Sequence, residues 1–188
     1  MSEEPAPGPG AERHLPMLAE AFPEAVSLGR ALAEAGLTIA VAESCTGGLL
    51  GAALTAVPGS SVYVRGGVIA YADDVKSEQL GVGRHLLATH GAVSAEVAEA
   101  MASGARERFE ADLGVGITGV AGPSSSEHKP AGLVFVAVAD AAAVRVVRID
   151  SDQGRERNRA HAVETALSLC SEAVRSLQGA GSGGSGTP

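Results

Sequence analysis

The sequence predicts a single layered α/β/α domain with a mixed, mostly parallel β-sheet. The first observation behind this prediction is that strand-like and helix-like stretches alternate along most of the chain. The second is that two neighbouring strand-like stretches near the C-terminus are close enough to form a hairpin. The third is composition: only 3% of the 188 residues are aromatic while 45% are hydrophobic, so small side chains must let helices approach the sheet closely.

The first half of the chain contains two predicted strands, each followed by a helix. Residues 1–20 begin rich in Pro, Gly and Glu, and we expect them to be disordered. The stretch "EAVSLGRALAEAGL" has helical spacing with Gly36 as its stop, and "LTIAVA" (37–42) is a short buried strand. A helix beginning near Thr46, a strand at 66–71 and a short helix at 73–82 follow.

The second half begins with a long predicted helix, residues 94–111, with Ser94 as its N-cap. Strands are predicted at 113–119, 132–140 and 144–150, the last two as a hairpin. A final amphipathic helix runs from about Gly154 to Leu177, with inward-facing Ala162, Ala166, Leu169 and Val174. The domain therefore covers residues 21–178, and the Gly- and Ser-rich residues 179–188 predict a flexible tail.

Charge and composition exclude several classes of function. The net charge of −8, with no dense block of Lys and Arg, argues against a nucleic-acid partner. No apolar stretch reaches the roughly 18 residues of a membrane span, and two distant cysteines without a secretory signal predict a reducing cytoplasm. The histidines show no metal-ligand spacing and no P-loop pattern occurs, so we expect no metal, no cofactor and no nucleoside-triphosphatase activity.

The segment "ESCTGG" (43–48) lies where a predicted strand meets a predicted helix. Ser44 falls at the expected N-cap, so its position alone makes it either a helix cap or part of a site. Gly47 and Gly48 favour a site, since glycines at a helix start let a carbonyl or phosphate approach backbone N–H groups. Cys45 has no evident histidine partner to make it a thiolate, and we interpret it as a packing residue.

Tyr71 and Lys76 follow the second predicted strand. If Asp73 caps the short helix, Lys76 stands in its first turn, where the helix dipole favours the neutral amine, a usable general base. The alternative is a solvated lysine paired with Asp73 or Asp74. Ser60 and Ser61 lie on the turn that leads into the same strand.

Two further groups are candidates for ligand binding. Thr118 and Gly119 end a predicted strand, although the surrounding GxGxxG pattern lies inside that strand and is therefore no dinucleotide fingerprint. Arg155 and Arg159 share one face at the start of the final helix, where cations oppose the dipole. An anionic group such as a phosphate would explain them.

Several motifs in order resemble the C-terminal domain of the competence-damage-inducible protein CinA, a family that includes the stand-alone nicotinamide mononucleotide deamidase PncC. The resemblance covers roughly residues 22–178, and no part of the chain matches the N-terminal domain of full-length CinA, so a stand-alone form is expected. The motifs are "AESCTGGLLGAALTAVPGSS", "GGVIAYADDVKSEQLGV", "HGAVSAEVAEAMASGARERF", "GITGVAGP" and "KPAGLVFVAVAD".

The resemblance implies a metal-free amidohydrolase that converts nicotinamide mononucleotide into nicotinic acid mononucleotide and ammonia, and a homodimer or larger assembly. It implies a serine–lysine mechanism assisted by tyrosine, in which Ser61, Tyr71 and Lys76 match the family's catalytic group. Ser44 then contacts the oxyanion or the substrate; the reverse assignment, with Ser44 as nucleophile, stays open. The expected substrate-binding residues are Thr46, Gly47, Gly48, Thr118, Gly119, Arg155 and Arg159, with the 5′-phosphate near Arg159.

The chain departs from the family at two places. The loop "GPSSSEHKPAG" lacks the paired glycines that usually follow the proline, and Asp73-Asp74 replaces the more usual Asn-Glu. Because the altered loop would change the substrate pocket, two alternatives remain beside the deamidase. One is an amidohydrolase with another amide substrate, and the other is a non-catalytic competence-related partner or ligand-binding module.

Overall fold

The computed structural model describes residues 17–126 and 128–182. In chain order the elements are α1 (Leu18–Ala21), α2 (Pro23–Ala35), β1 (Ile39–Glu43), α3 (Leu49–Thr55), β2 (Val64–Ile69), α4 (Asp73–Leu80), α5 (Arg84–His90), α6 (Ala95–Arg108), β3 (Leu113–Gly119), β4 (Leu133–Ala139), β5 (Val144–Asp150) and α7 (Arg155–Ser182). A single 3₁₀ turn, Ser60–Val62, precedes β2.

The strands form one mixed sheet in the order β2-β1-β3-β4-β5. β1 pairs parallel with β2 and β3, whereas β4 pairs antiparallel with β3 and β5. Helices α2, α3 and α7 cover one face, and α4, α5 and α6 cover the other. The predicted α/β/α architecture and its C-terminal hairpin are confirmed, and the carboxyl ends of β1, β2 and β3 meet at one edge of the sheet.

The two faces of the sheet pack in different ways. Along β1, Ile39 and Val41 face the larger aliphatic core under α2, α3 and α7, while Ala40 and Ala42 face α6. On β3, a Cβ at Gly114 or Gly116 would overlap backbone carbonyl oxygens of α6. The GxGxxG pattern therefore contains packing glycines that let α6 lie directly on the sheet.

Most predicted boundaries are confirmed, including the left-handed Gly36 after α2, the Ser94 cap of α6 and the four buried residues of α7. Helix α1 lies partly in the segment expected to be disordered, and α7 continues to Ser182, into the expected tail. Helix α5 was not predicted because none of its residues is buried, so it carries no apolar periodicity. Residues 1–16 and 183–188 lie outside the described ranges.

No helix within the described ranges is both long and apolar enough to cross a membrane.

The close approach of α6 to β3 makes Gly116 intolerant of a side chain. We expect Gly116→Ala to lower the free energy of unfolding by about 1–3 kcal/mol through overpacking, measured by urea denaturation. The control is Gly179→Ala in α7, where a Cβ meets no described atom within 4 Å; this helical substitution should stabilise by up to about 1 kcal/mol. An unchanged midpoint for Gly116→Ala would contradict this packing.

Candidate active site

A cavity of about 250 Å³ opens at the carboxyl edge of the sheet. Its walls come from the segments that follow β1, β2 and β3, from the α5–α6 connection and from the first turn of α7. Six of the predicted site residues line it: Ser44, Tyr71, Lys76, Thr118, Gly119 and Arg155. The structure thus brings together residues from four separate parts of the sequence at the position where α/β sheets bind ligands.

Glu43 ends β1 and caps α3 with its carboxylate. Its Oε2 accepts the N–H groups of Gly48 and Leu50 at 3.1 and 3.0 Å, and its Oε1 accepts that of Gly51 at 2.8 Å. Only 1% of Glu43 is exposed. Three of the N–H groups at the start of the helix are therefore satisfied by a buried charge, as the helix dipole favours.

Of the two alternatives for Ser44, the helix cap is excluded, because Gly48 occupies the N-cap position of α3 and Glu43 supplies the side-chain acceptor. The backbone N–H of Ser44 donates to Ile117 on β3 at 2.9 Å, and its carbonyl accepts from Gly47 at 3.0 Å. The Ser44 side chain, relieved of capping, lines the cavity instead.

The Gly47 and Gly48 amides are engaged within the turn, with Gly47 bonded to Ser44 and Gly48 to Glu43. Both glycines have positive φ, 61° and 93°, which a tight turn between strand and helix requires. Neither lines the cavity, and neither does Thr46, whose fully buried Oγ1 has no hydrogen-bond partner among the described residues. These three residues build the turn, contrary to the expectation that they line the substrate site.

Lys76 lies in the first turn of α4 with only 2% of its side chain exposed. Its Nζ donates to Asp73 Oδ1 at 3.1 Å, and the Asp73 side chain is 55% exposed. The expected partner is therefore present, but the alternative of a solvated surface lysine is wrong. Asp73 is also not the helix cap; Ala72 holds that position without a side-chain bond.

Arg155 joins three walls of the cavity. From the first turn of α7 its Nη1 donates to the Gly122 carbonyl at 2.9 Å, and its Nη2 donates to the hydroxyl of Tyr71 at 3.3 Å. Tyr71 is 59% exposed at the rim. A cation and a phenol thus stand together at the cavity mouth.

Arg159 lies outside the cavity lining, one turn further along α7. Its Nε and Nη2 both donate to the carbonyl oxygen of Thr46, at 3.2 and 2.6 Å. The guanidinium therefore supports the β1–α3 turn rather than reaching the cavity. This placement is contrary to the expectation that Arg159 lies nearest a bound phosphate.

Thr118 and Gly119 line the cavity from the end of β3, as expected. The Thr118 hydroxyl is buried and donates to the carbonyl of Ala92 at 2.7 Å. Thr118 therefore ties β3 to the α5–α6 connection, which forms the opposite wall.

Asn158 is a site-building residue that the sequence analysis did not identify. It is 3% exposed, and its Nδ2 donates to the Ala121 carbonyl and to Asp152 Oδ1, both at 2.9 Å. Its Oδ1 accepts the Gln153 N–H at 2.8 Å. The Asn158 bond, followed by the Gly154 N–H, lowers the pKa of Asp152. The only sequence signal was an amide on the buried side of an amphipathic helix.

Ser61 is not part of this cavity. It is exposed in the 3₁₀ turn before β2, whereas Tyr71 and Lys76 follow the strand. Six residues of strand separate the two ends by roughly 20 Å. The expected grouping of Ser61 with Tyr71 and Lys76 does not form within the described chain, because the serine precedes β2 and the lysine follows it, at the opposite end of the strand.

Cys45 lines the cavity but is almost completely buried. Burial raises the pKa of its thiol to about 12, with a smaller opposing effect from its own backbone N–H. At neutral pH the thiol therefore keeps its proton and is a poor nucleophile. This supports its interpretation as a packing residue. Of the two serines predicted as nucleophile candidates, Ser44 lines the cavity together with Lys76, and Ser61 does not.

The model of the CinA C-terminal domain matches residues 23–174. The chain belongs to this family. A CinA-like protein of Gemmatimonas aurantiaca is 54% identical over 132 residues, which are 70% of this chain and 31% of that protein. A putative competence-damage inducible protein of Halothermothrix orenii is 48% identical over 134 residues, 70% of this chain and 32% of that protein. The matched part of this chain thus spans about a third of the length of these curated relatives.

Solved structures of the CinA family share the fold. A competence/damage inducible protein of Agrobacterium tumefaciens is 40% identical with a TM-score of 0.75, and the match covers 82% of this chain and 98% of that chain. A CinA superfamily protein of Klebsiella pneumoniae is 32% identical with a TM-score of 0.80, over the same shares. The family membership predicted from the motifs is confirmed.

The Glu43 cap is the interaction to test for the integrity of this site. In Glu43→Gln the amide presents an NH₂ group to helix N–H donors, so the free energy of unfolding should fall by about 1–3 kcal/mol. Glu34→Gln removes the same charge from an exposed position on α2 and should change stability by less than about 0.5 kcal/mol. Urea denaturation measures both, and equal stabilities of the two variants would contradict the capping role.

Proposed function

We propose that this chain is a metal-independent amidohydrolase that deamidates nicotinamide mononucleotide, with Ser44 as nucleophile and Lys76 as general base. The observation that carries the proposal is the convergence of Ser44, Tyr71 and the buried Lys76 on one cavity. A serine hydroxyl needs a base to attack a carboxamide, and an amine held out of water can supply one. The alternative with Ser61 lacks such a neighbour in the described chain.

In the first half of the reaction, Lys76 accepts the Ser44 Oγ proton, directly or through the Tyr71 hydroxyl. Oγ attacks the carboxamide carbon, and a tetrahedral intermediate forms with the negative charge on oxygen. The C–N bond then breaks as the ammonium of Lys76 returns its proton to the leaving nitrogen. Ammonia departs and an acyl ester of Ser44 remains.

In the second half, water attacks the ester while Lys76 accepts its proton. Collapse of the second tetrahedral intermediate breaks the C–Oγ bond, Ser44 regains a proton from Lys76, and the carboxylic acid is released. The sum is amide plus water to acid plus ammonia. Neither a metal nor a redox cofactor takes part in this proposed sequence.

Arg155 is the proposed phosphate contact. It lines the cavity at its mouth and has five N–H donors, of which Nη1 and Nη2 each provide one for Gly122 and Tyr71. Arg159 does not line the cavity, so we propose that Arg155, and not Arg159, contacts the phosphate.

A related amide is the second candidate substrate. Ser124 and Ser126, from the loop that departs from the family pattern, line the same cavity. Their hydroxyl groups add hydrogen-bond donors and acceptors to one wall. This chemistry favours a polar amide and leaves the proposed Ser44 and Lys76 roles unchanged.

The nucleophile can be identified with purified protein and nicotinamide mononucleotide, without added metal, by measuring ammonia and the acid product. Ser44→Ala should lower kcat by at least ~10³-fold, because the acyl ester cannot form. Ser61→Ala, at the opposite edge of the sheet, should keep turnover within about twofold of wild type. Turnover retained in Ser44→Ala would overturn the mechanism. A wild type without turnover would overturn the proposed substrate.

The phosphate contact can be tested by comparing nicotinamide mononucleotide with its dephosphorylated analogue. Arg155→Gln should raise KM for the mononucleotide about tenfold or more, as loss of a charged hydrogen bond predicts, and change that for the analogue little. Arg159→Gln should affect both substrates equally, because Arg159 holds the Thr46 carbonyl. An equal effect of Arg155→Gln on both substrates would remove the phosphate role.

A further inference from the structure

We infer that the backbone N–H groups of Ala121 and Gly122 form the oxyanion hole of the cavity, the donor pair that stabilises negative charge on the carbonyl oxygen of the substrate. This inference deepens the proposed amide hydrolysis and rests on it for its catalytic consequence. The proposed reaction places a negative charge on that oxygen twice, and each time preorganised donors must hold it.

The two N–H groups are buried and have no acceptor in the protein. β3 ends at Gly119, and Ala121 and Gly122 follow it and line the cavity. Both residues are buried, and only 5% of Ala121 is exposed. Neither N–H group has a hydrogen-bond acceptor among the described residues. Because nearly all buried N–H groups in proteins are paired, two free donors beside a cavity indicate that a ligand atom is their acceptor.

The carbonyl groups of the same two peptide units are bonded. The Val120 carbonyl accepts the Gly132 N–H at 2.8 Å, and the Ala121 carbonyl accepts Asn158 Nδ2 at 2.9 Å. A hydrogen bond to the oxygen of a peptide unit polarises that unit and strengthens its N–H as a donor. The bonds also fix the orientation of both peptide planes, so the donors are held in place before a substrate binds.

The backbone at this point has a pattern that is typical of anion-binding turns. Gly122 has a φ of 91°, whereas the φ of Ala121 is not positive. Such a succession occurs in backbone nests, where consecutive N–H groups point into one concavity and bind an anion. Arg155 Nη1 donates to the Gly122 carbonyl at 2.9 Å and so fixes the far end of the turn.

Ser44 lies beside the strand that leads to this turn. Glu43 at the end of β1 is paired with Ile117 of β3, and the Ser44 N–H donates to the Ile117 carbonyl at 2.9 Å. Neighbouring strands lie about 4.8 Å apart. The Ser44 hydroxyl and the two N–H groups therefore belong to adjacent segments at one edge of the sheet, as a nucleophile and its oxyanion donors must.

Other donors close to Ser44 are already engaged. The Gly47 N–H donates to the Ser44 carbonyl, and the Gly48 N–H donates to Glu43. The Thr118 hydroxyl donates to the Ala92 carbonyl at 2.7 Å. Use of any of these groups for an oxyanion would break a bond that holds the site together, whereas the N–H groups of Ala121 and Gly122 are free to accept the charge.

A backbone donor can be removed without changing a side chain by replacing an amino acid with its α-hydroxy acid through nonsense suppression, which turns the N–H into an ester oxygen. Ala121→lactic acid should lower kcat for nicotinamide mononucleotide by about 10²-fold, the usual cost of losing one oxyanion donor. KM should change little, because the charge develops only in the transition state.

Ala131→lactic acid is the matched control, since Ala131 lies in the same loop but does not line the cavity. Each ester weakens a preceding carbonyl that accepts one backbone bond, Val120 in the first variant and Pro130 in the second. The control should keep kcat within about twofold of wild type. Equal kcat values for the two variants would overturn the inference.

A second measurement does not depend on turnover. In ¹⁵N-labelled wild-type protein, titration with sodium acetate should move the amide proton signals of Ala121 and Gly122 downfield, because a carboxylate oxygen would accept both N–H groups. Sodium chloride at equal ionic strength should not, and the Ala131 signal should stay in place with either salt. The Ala121 signal is identified by its loss in Ala121→lactic acid.

The two measurements separate this inference from the proposed function. Amide signals that move in a protein without turnover would support the donor pair and overturn the deamidase. Turnover in a protein whose Ala121 and Gly122 signals stay in place would overturn the donor pair and leave the deamidase standing. Failure of both measurements would overturn both proposals.

Discussion

The buried carboxylate of Glu43 accepts the N–H groups of Gly48, Leu50 and Gly51, and so fixes where β1 ends and where α3 begins. A shorter side chain could not reach across this turn, and an uncharged one would interact less favourably with the positive end of the α3 helix dipole. Because Glu43 supplies the acceptor, the side chain of Ser44 is not needed to cap α3. Ser44 can therefore line the cavity, as its proposed role as nucleophile requires.

The remaining walls are held to this turn by polar contacts from α7. Arg159 bonds the Thr46 carbonyl, Arg155 bonds Gly122 and Tyr71, and Asn158 bonds Ala121. One helix therefore fixes the distances between segments that follow three different strands. A site assembled in this way can hold reacting groups in place without large aromatic side chains, which this sequence lacks.

The sequence predicted the strands well because buried strands and amphipathic helices carry strong patterns. It also placed Ser44, Tyr71 and Lys76 after strands, and the carboxyl ends of parallel strands share an edge. The same rule places Ser61, which precedes β2, at the opposite end of that strand. The family resemblance instead grouped Ser61 with Tyr71 and Lys76. The Glu43 cap is harder to predict from the sequence, because adjacent Glu and Ser side chains can both cap a helix and only the geometry of the turn selects between them. Asn158 was hidden in the helical pattern of α7.

The reversed direction of β4 has a consequence for how this domain can change. The first and last residues of the β3–β4 loop lie side by side, with Val120 bonded to Leu133 and Gly132 bonded to Val120. A loop closed at its own base can gain, lose or exchange residues without altering the spacing of the strands beneath it. Evolution can therefore remodel the wall that carries Ser124 and Ser126 separately from the wall that carries Ser44 and Lys76, so that the ligand preference of the cavity can change while the proposed reacting groups stay in place.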